Sequence, residues 1–192
     1  MIQPQLKLKD CKHCGACFVP VRPMQNVCGR TCAQRLVNAA KKERAERDRA
    51  RKEKIKTIPE LKKEAQHAFN AYIRARDRFQ PCICCGRSES DGYGLSGHGW
   101  DCGHYRSTGS ADHLRYHEDN AHRQLVICNR YGAGRAVDYR IGLIARIGLE
   151  RVEALEVNNI SIKWTADFLR EIKATYIEKL KKLKRKYELQ TR

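Results

Sequence analysis

The sequence has no long apolar run. Its first ten residues, MIQPQLKLKD, contain no apolar segment of signal-peptide length, and no later stretch reaches the roughly 20 apolar residues that a membrane-spanning helix needs. We therefore expect neither export nor membrane insertion, and we predict that the chain acts in the cytoplasm. Because thiols stay reduced there, its 10 cysteines are expected to bind metal or to remain free.

Acidic residues are scarce relative to basic ones. The 192 residues include 22 Asp and Glu against 39 Lys and Arg, which gives a net charge of +17. This excess disfavours an enzyme of neutral metabolites and favours a polyanionic partner, because cationic side chains that neutralise phosphates release condensed counterions. Basic ribosomal proteins share this charge but rarely carry so many cysteines. We therefore expect a nucleic acid as the partner.

Two cysteine pairs lie close together in residues 1–32. Cys11 and Cys14 form the first pair, and Cys28 and Cys32 form the second. Four thiolates at this spacing suit a tetrahedral structural Zn²⁺, whose binding would supply folding energy that so short a segment cannot obtain from a core. Cys17 is assigned as a spare thiol, although a register that uses Cys14 with Cys17 also fits the spacing.

Residues 33–56 predict a basic helical linker. They lack Gly and Pro and are rich in Ala, Lys, Arg and Glu, which favours helix. Few apolar residues follow Val37, so the helix has no face that could form a core. We expect Lys41 and Lys42 to lie along DNA phosphates, although a spacer without specific contacts fits the same composition.

Residues 57–160 are predicted to form the main folded core. Thr57 and Glu60 make a capping box at the start of a helix. Apolar residues follow it at helical spacing, namely Leu61, Ala65, Phe69, Tyr72 and Phe79. A second helix is expected over residues 136–147, ending at Gly148, and a short one over residues 149–156. The predicted buried face of the second helix carries Val137, Ile141, Ile144 and Ile147.

The segment 161–192 predicts one long basic helix capped by Thr165. Apolar residues recur along it at three- and four-residue steps, namely Phe168, Ile172, Tyr176, Leu180, Leu183 and Tyr187. This stripe fits either packing on the core or a dimer contact. Basic residues near its end are expected to contact phosphates: Lys181, Lys182, Lys184 and Arg185. Arg106, in the central part of the chain, is predicted to join them.

The residues that suggest catalysis lie between positions 82 and 134. A Cys-x-x-Cys pair, Cys82 and Cys85, is followed by a glycine-rich stretch that predicts a mobile loop. The polar residues after that loop are Asp101, His104, Asn120, His122 and Asn129, the last directly after Cys128. An isolated Asp-x-x-His is common and usually carries no function, so any functional prediction depends on the whole set.

This set fits phosphodiester hydrolysis. The reaction needs a base that removes a proton from the attacking water, and a hard cation that stabilises charge on the phosphorane and on the departing oxygen. We predict His104 as the base and Asp101 and Asn129 as ligands of Mg²⁺ or Mn²⁺. Asn120 is predicted to hold the loop near His104 by hydrogen-bonding its backbone. His122 is more often a structural histidine than a base.

The chain resembles the phage NinG family of recombination endonucleases. The resemblance lies in the N-terminal cysteine pairs, in AFNAYIRARDRFQPCICCG, in DCGHYRSTGSADHLRYHEDNAHRQ and in YRIGLIARIG followed by KWT, and it covers nearly the whole chain. The residues described above are the parts of an HNH-like ββα-metal site, and together with the resemblance they predict an α+β fold with an N-terminal zinc finger, a basic helical linker, that core and C-terminal helices. The resemblance also implies a homodimer that cuts branched DNA, such as Holliday junctions and D-loops, inside a bacterial host cell.

The resemblance also implies a second structural zinc site. Three of its four expected ligands are cysteines here, namely Cys82, Cys85 and Cys128. Leu125 stands at the fourth position. The site is then completed by Cys84, Cys102 or His122, or else packing by Leu125 replaces the missing ligand.

Two other functions fit the same features. A zinc-stabilised DNA-binding protein without catalysis would share the cysteines and the basic helices, and only Asp101, His104 and Asn129 distinguish it from an enzyme. An HNH nuclease that cuts linear duplex would share the chemistry and differ in substrate. The resemblance favours branched DNA, whereas composition and spacing do not separate the two substrates.

Overall fold

Helices dominate the structure, a computed structural model that describes residues 7–89 and 99–190. Its α-helices are α1 (Arg30–Lys54), α2 (Ile58–Arg76), α3 (Ala136–Ile147), α4 (Leu149–Val157) and α5 (Ala166–Gln190). Its strands are β1 (Lys9–Asp10), β2 (Cys17–Phe18), β3 (Trp100–His104) and β4 (Ala121–Leu125), which form two antiparallel pairs. None of the described helices is long and apolar enough to cross a lipid bilayer. The glycines of the predicted loop, Gly92, Gly94 and Gly97, lie outside the described residues.

The chain divides into two compact units, Met1–Lys56 and Thr57–Arg192. In the first unit, β1 and β2 form a short hairpin in which Lys9 pairs with Phe18. The helix α1 follows, and none of its 25 residues is buried. This confirms a helix without a core face, as its composition predicts, whereas its role as a linker stays a prediction. The helix is stabilised by local propensity rather than by apolar packing.

The second unit is built around the β3–β4 pair and two long helices. Trp100 pairs with Leu125 and His104 with Ala121 across the two strands. The capping box predicted at the start of α2 is present, since the backbone N–H of Thr57 donates to Glu60 Oε2 at 2.8 Å. α2 ends at Arg76, three residues before Phe79, whose side chain is 74% exposed. The prediction that Phe79 belongs to the buried face of this helix is therefore wrong.

The apolar stripe of α5 packs against α2. Leu169, Ile172 and Tyr176 are buried in one cluster with Phe69 and Ile73 of α2. Further along, the Tyr187 hydroxyl donates to the carbonyl of Ala75 at 3.1 Å, and its ring meets Phe79 edge-on at 5.4 Å. Packing within the chain thus accounts for a stripe that was equally compatible with a dimer contact. Segment 161–192 belongs to the second compact unit, and a homodimer stays a prediction.

The buried face of α3 agrees only in part with the predicted one, since Ile144 and Ile147 pack partly buried against the core. Val137 and Ile141 are 75% and 64% exposed, whereas Tyr139 and Leu143 are buried. Two features set this rotation of the helix. The Tyr139 hydroxyl donates to the carbonyl of Gly103 in β3 at 3.0 Å, and Gly142 lies against the loop that carries Cys82 and Cys85. The apolar periodicity of the sequence fits either face, so tertiary contacts decide between them.

Gly142 is the closest point of approach between α3 and that cysteine loop. A Cβ atom placed on Gly142 would lie 1.8 Å from the carbonyl oxygen of Ile83. Gly142→Ala would normally stabilise a helix by up to about 1 kcal/mol. Here it should lower the free energy of unfolding by about 1–3 kcal/mol, because the helix must move away from a backbone atom. Guanidinium unfolding of both proteins measures the sign, and a more stable variant would show that α3 does not approach Ile83.

Candidate active site and metal centres

Four N-terminal thiols converge on one point. The sulfur atoms of Cys11, Cys14, Cys28 and Cys32 all lie within 4.8 Å of one another. Cys17 lies apart from them and donates a hydrogen bond from its thiol to Asp10 Oδ1 at 3.0 Å. The structure therefore selects the register in which Cys17 is the spare thiol. Four sulfurs in this arrangement suit a tetrahedral metal such as zinc.

A second thiol cluster forms where the loop after α2 meets the end of β4. Its sulfurs belong to Cys82, Cys84, Cys85 and Cys128, all within 4.8 Å of one another. Cys84 is thus the candidate that completes the second set of four, and Gln124 donates to its sulfur at 3.4 Å. The hydrogen bond from Cys84 and backbone N–H groups together lower the pKa of Cys82 to about 4, despite its burial. The same hydrogen bond raises the pKa of Cys84, so binding of zinc would have to displace the proton that the two thiols share.

The other candidates for the fourth ligand contact other parts of the structure. Cys102 is buried in the apolar cluster between α2 and α5. His122 is buried beside Tyr139, with ring centroids 6.4 Å apart, and burial together with the charge of Arg76 lowers its pKa to about 3. Leu125 packs against Cys82 and Cys128, and its backbone N–H donates to the Cys82 sulfur at 3.3 Å. Leu125 therefore supports the cluster without being a ligand.

His104, at the end of β3, is held as a neutral imidazole. Its Nε2 lies 3.0 Å from the carbonyl oxygen of Arg115, so Nε2 carries the proton and donates it to that carbonyl. Nδ1 is then left with a lone pair. Burial lowers the pKa of His104 below its ordinary value, and hydrogen bonding to the backbone of Arg115 and of Cys102 only partly offsets this. At neutral pH the ring can accept a proton at Nδ1, as a general base must.

Asn120 fixes the backbone that follows His104. Its fully buried amide donates to the carbonyls of Arg106 and Leu114, at 3.0 and 3.2 Å, and accepts from the Arg106 N–H at 2.8 Å. These contacts match the kind of backbone hydrogen bonding predicted for Asn120. The Arg106 guanidinium donates to the carbonyl of Leu155 at 2.9 Å, at the end of α4. This side chain therefore holds α4, and the DNA contact predicted for Arg106 stays a prediction.

A cavity of about 430 Å³ joins His104 to Asn129. Asn129 lies in a π-helical segment, Ile127–Tyr131, that directly follows β4. Ser107, Thr108 and Tyr139 also line this cavity. Asp101 reaches it indirectly, since its Oδ2 accepts a hydrogen bond from Asn129 Nδ2 at 3.0 Å. The structure thus places His104 and Asn129 at one opening, with Asp101 bound to Asn129 outside the lining.

Arg130 forms an ion pair with the carboxylate of Asp101. Its Nε and Nη2 donate to Oδ2 and Oδ1 at 2.8 and 2.9 Å, in a two-point ion pair. Partial burial raises the pKa of Asp101, but the hydrogen bonds from Arg130 and Asn129 outweigh it, so the net shift is downward. Within residues 7–89 and 99–190, the two cysteine clusters are the only groups of three or more Cys, His, Asp or Glu ligands that could hold a metal ion. Asp101 and Asn129 offer the oxygen ligands that a hard cation prefers, and Arg130 must move for one to bind.

A role for Arg130 at this site was not predicted from the sequence, because its position next to Asn129 is the only feature of the sequence that points to it.

The remaining residues predicted to bind DNA are exposed side chains on α1 and α5: Lys41, Lys42, Lys181, Lys182, Lys184 and Arg185. Their exposure is compatible with phosphate contacts, which stay predictions.

Replacing Cys84 with serine should remove one of two bound zinc ions. The thiol cluster would keep three sulfurs, and three thiolates bind zinc more weakly than four. Zinc per chain, measured by mass spectrometry after purification, should fall from about two to about one. Cys17→Ser is the matched control and should keep both ions, since Cys17 lies outside either cluster. If Cys84→Ser retains two zinc ions, Cys84 is not the fourth ligand.

Comparison with known proteins places the chain in a phage family. The family model described as "Bacteriophage Lambda NinG protein" matches residues 3–188. Protein ninG of Escherichia phage lambda is 47% identical over 122 residues, which cover 64% of this chain and 56% of that relative. The proteins of the same name from Escherichia phage 933W and Salmonella phage P22 are 48% and 45% identical, over 64% of this chain and 57% of each relative. The chain therefore spans a little over half the length of these relatives, and no solved structure matches it significantly. Because the family model covers nearly all of the sequence, this chain belongs to the NinG family.

Proposed function

We propose that this chain is a metal-dependent endodeoxyribonuclease that cuts branched DNA, such as Holliday junctions and D-loops, during phage recombination. The observation that carries the proposal is the state of His104. Its Nε2 is bound to the Arg115 carbonyl at 3.0 Å, and the ring lines a cavity together with Asn129. A neutral histidine held in this way is prepared to accept a proton, which a purely structural histidine does not require.

The order of elements supports an HNH-like core. β3 supplies Asp101 and His104, the turn before β4 supplies Asn120, and the π-helical segment after β4 supplies Asn129. Two antiparallel strands followed by a helical segment therefore carry the catalytic candidates, as a ββα-metal site requires. Membership of the NinG family and the net charge of +17 agree with a DNA substrate.

In the proposed mechanism, this chain's residues position the substrate water and remove its proton. His104 Nδ1 accepts the proton, and the Arg115 carbonyl stabilises the resulting imidazolium through Nε2. Asn120 keeps the segment after His104 in place through its bonds to Arg106. Asp101 and Asn129 would hold Mg²⁺ or Mn²⁺, and such a cation would stabilise negative charge on the phosphoryl group and on the departing oxygen.

A non-catalytic DNA-binding protein is the second candidate function, and one observation favours it. Both carboxylate oxygens of Asp101 are engaged by Arg130, so the free protein presents an ion pair where an enzyme presents a cation ligand. A nuclease that cuts linear duplex differs from our proposal only in substrate. Homodimerisation and action in the host cytoplasm belong to the same proposal, and contacts of α5 within the chain leave the dimer surface undefined.

Replacing His104 with alanine should abolish cleavage and leave DNA binding nearly unchanged. Loss of a general base costs at least about 100-fold in rate. Cleavage of a four-way junction and of a linear duplex with the same sequence, with Mg²⁺ and without it, measures this directly. His117→Ala is the matched control, because His117 is an exposed histidine outside the cavity. Retained cleavage by highly purified His104→Ala protein rules out this base, and equal cutting of both substrates rules out branch specificity.

Replacing Arg130 with alanine should tighten Mn²⁺ binding to the DNA-free protein by about fivefold, the upper end for loss of a partly exposed ion pair. The substitution removes the competing cation from both Asp101 oxygens. Electron paramagnetic resonance of free Mn²⁺ measures affinity on protein whose cysteine clusters hold zinc.

Arg135→Ala is the control for that measurement, since Arg135 is a neighbouring exposed arginine that pairs with Asp138 instead. Adding Asp101→Asn to Arg130→Ala should cancel the gain. An unchanged Mn²⁺ affinity in Arg130→Ala would remove Asp101 as a ligand and favour the non-catalytic alternative.

A further inference from the structure

One face of α2 forms an open groove that neither the core nor the candidate active site uses. The groove has a volume of about 530 Å³ and is lined by Pro59, Lys62, Lys63, Gln66, His67, Asn70 and Arg115. All of these residues except Arg115 recur at three- and four-residue steps along α2, on a face turned away from the buried Leu61, Ala65 and Phe69. This face therefore has no apolar packing role, and no Asp or Glu is among its described lining residues.

Asp112 holds two of the cations at the edge of the groove. Its carboxylate binds Lys62 Nζ and Arg115 Nε, both at 2.6 Å, and accepts from the Trp164 indole N–H at 2.6 Å. Partial burial raises its pKa, but these hydrogen bonds lower it to about 2, so Asp112 stays charged. Three cations against this single anion leave the groove positive. The ion pairs fix the positions of Lys62 and Arg115, and both side chains still line the groove.

A chain of hydrogen bonds orients the amides of the groove. Arg115 Nη1 donates to Gln66 Oε1 at 3.2 Å, and Gln66 Nε2 donates to Asn70 Oδ1 at 2.7 Å. Because arginine can only donate, Gln66 must turn its oxygen to Arg115 and its nitrogen to Asn70. Asn70 then accepts through its oxygen, and its own N–H₂ group is left for another acceptor. The groove thus offers donors and cations together, which suits an anion rich in acceptor oxygens.

Arg115 connects this groove to the proposed base. Its guanidinium lies in the groove wall, and its backbone carbonyl accepts the hydrogen bond from His104 Nε2 at 3.0 Å. The Phe69 ring, on the buried side of α2, lies 6.0 Å from the His104 ring. A strand bound along α2 would therefore run beside the residue that holds the candidate catalytic histidine.

We propose that the α2 groove binds the phosphodiester backbone of the DNA strand next to the cleavage site. The inference rests on the proposed function for the identity of that strand as DNA. Phosphate oxygens accept hydrogen bonds from Lys63 and Asn70, and these contacts carry no sequence information. The groove would hold the strand in register with His104, while recognition of a branch would lie elsewhere.

Asn70→Asp is the sharpest test of the groove. The aspartate keeps an oxygen for Gln66 and replaces only the outward N–H₂ group with a negative oxygen. Asn159→Asp is the matched control, because Asn159 also uses Oδ1 as an acceptor, from Arg106 at 2.9 Å, and lies outside the groove. Fluorescence anisotropy with a labelled four-way junction and a labelled duplex, without divalent cations, gives the dissociation constants. Asn70→Asp should weaken binding about tenfold, since it removes a donor and places a charge against phosphate, and Asn159→Asp by less than about twofold.

Lys63→Ala provides an independent readout. It should weaken binding by about fivefold, and the slope of log affinity against log salt should fall by about 1 as one phosphate contact is lost. Equal effects of Asn70→Asp and Asn159→Asp, or an unchanged slope in Lys63→Ala, overturn the proposal. Displacement of DNA by polyglutamate of equal charge, with the same dependence on Asn70, would assign the groove to acidic polypeptides and also overturn it.

Separate measurements of DNA binding and of DNA cleavage distinguish a failure of the groove from a failure of the proposed nuclease function. If wild-type protein binds DNA through Asn70 and Lys63 but never cuts it with Mg²⁺ or Mn²⁺, the groove stands and the nuclease fails. If Asn70→Asp binds and cuts as wild type does, the groove fails and the nuclease stands. Thermal unfolding of each variant checks that the substitutions leave the fold intact.

Discussion

The buried amide of Asn120 is the interaction on which the second unit depends most. It bonds both backbone groups of Arg106 and the carbonyl of Leu114, so it ties the segment after β3 to the turn before β4. The position of His104, the docking of Arg106 on α4 and the placement of Arg115 all follow from that link. A fully satisfied buried amide rigidifies its surroundings, and leaving any of these groups without a partner would cost about 1–3 kcal/mol each.

In this chain, with its large excess of cations, single carboxylates bind several cationic or N–H partners at once. Asp112 joins Lys62, Arg115 and Trp164, and Asp77 joins Arg76 to the backbone N–H of Arg123. Each such acid gathers partners from segments distant in sequence, which favours one tertiary arrangement over others. Since 39 Lys and Arg stand against 22 Asp and Glu, pairing of the acids leaves a surplus of cations that a polyanion can reach.

Local features of the sequence predicted local structure well. The capping box of Thr57 and Glu60, the end of α3 at Gly148 and the start of α5 after Thr165 are all present, because caps depend on neighbouring residues. The buried face of α3 was predicted correctly at Ile144 and Ile147 and wrongly at Val137 and Ile141, since the contacts of Tyr139 and Gly142 lie in other segments. Cysteine spacing likewise could not choose between Cys84 and Cys102. That choice depends on the strand pair, because β4 places Leu125 beside the cluster and β3 places Cys102 in the core.

Three consecutive residues of the π-helical segment Ile127–Tyr131 have three different roles. Cys128 belongs to a thiol cluster, Asn129 lines the cavity beside His104, and Arg130 holds Asp101. A π-helical turn is a common feature of functional sites, and here it spreads neighbouring side chains toward separate targets. An insertion or deletion within these residues would misplace at least two of the three. A chelator that removed a metal from Cys128 would also disturb the cavity beside His104, so a loss of the proposed cleavage on chelation would not by itself identify a catalytic metal.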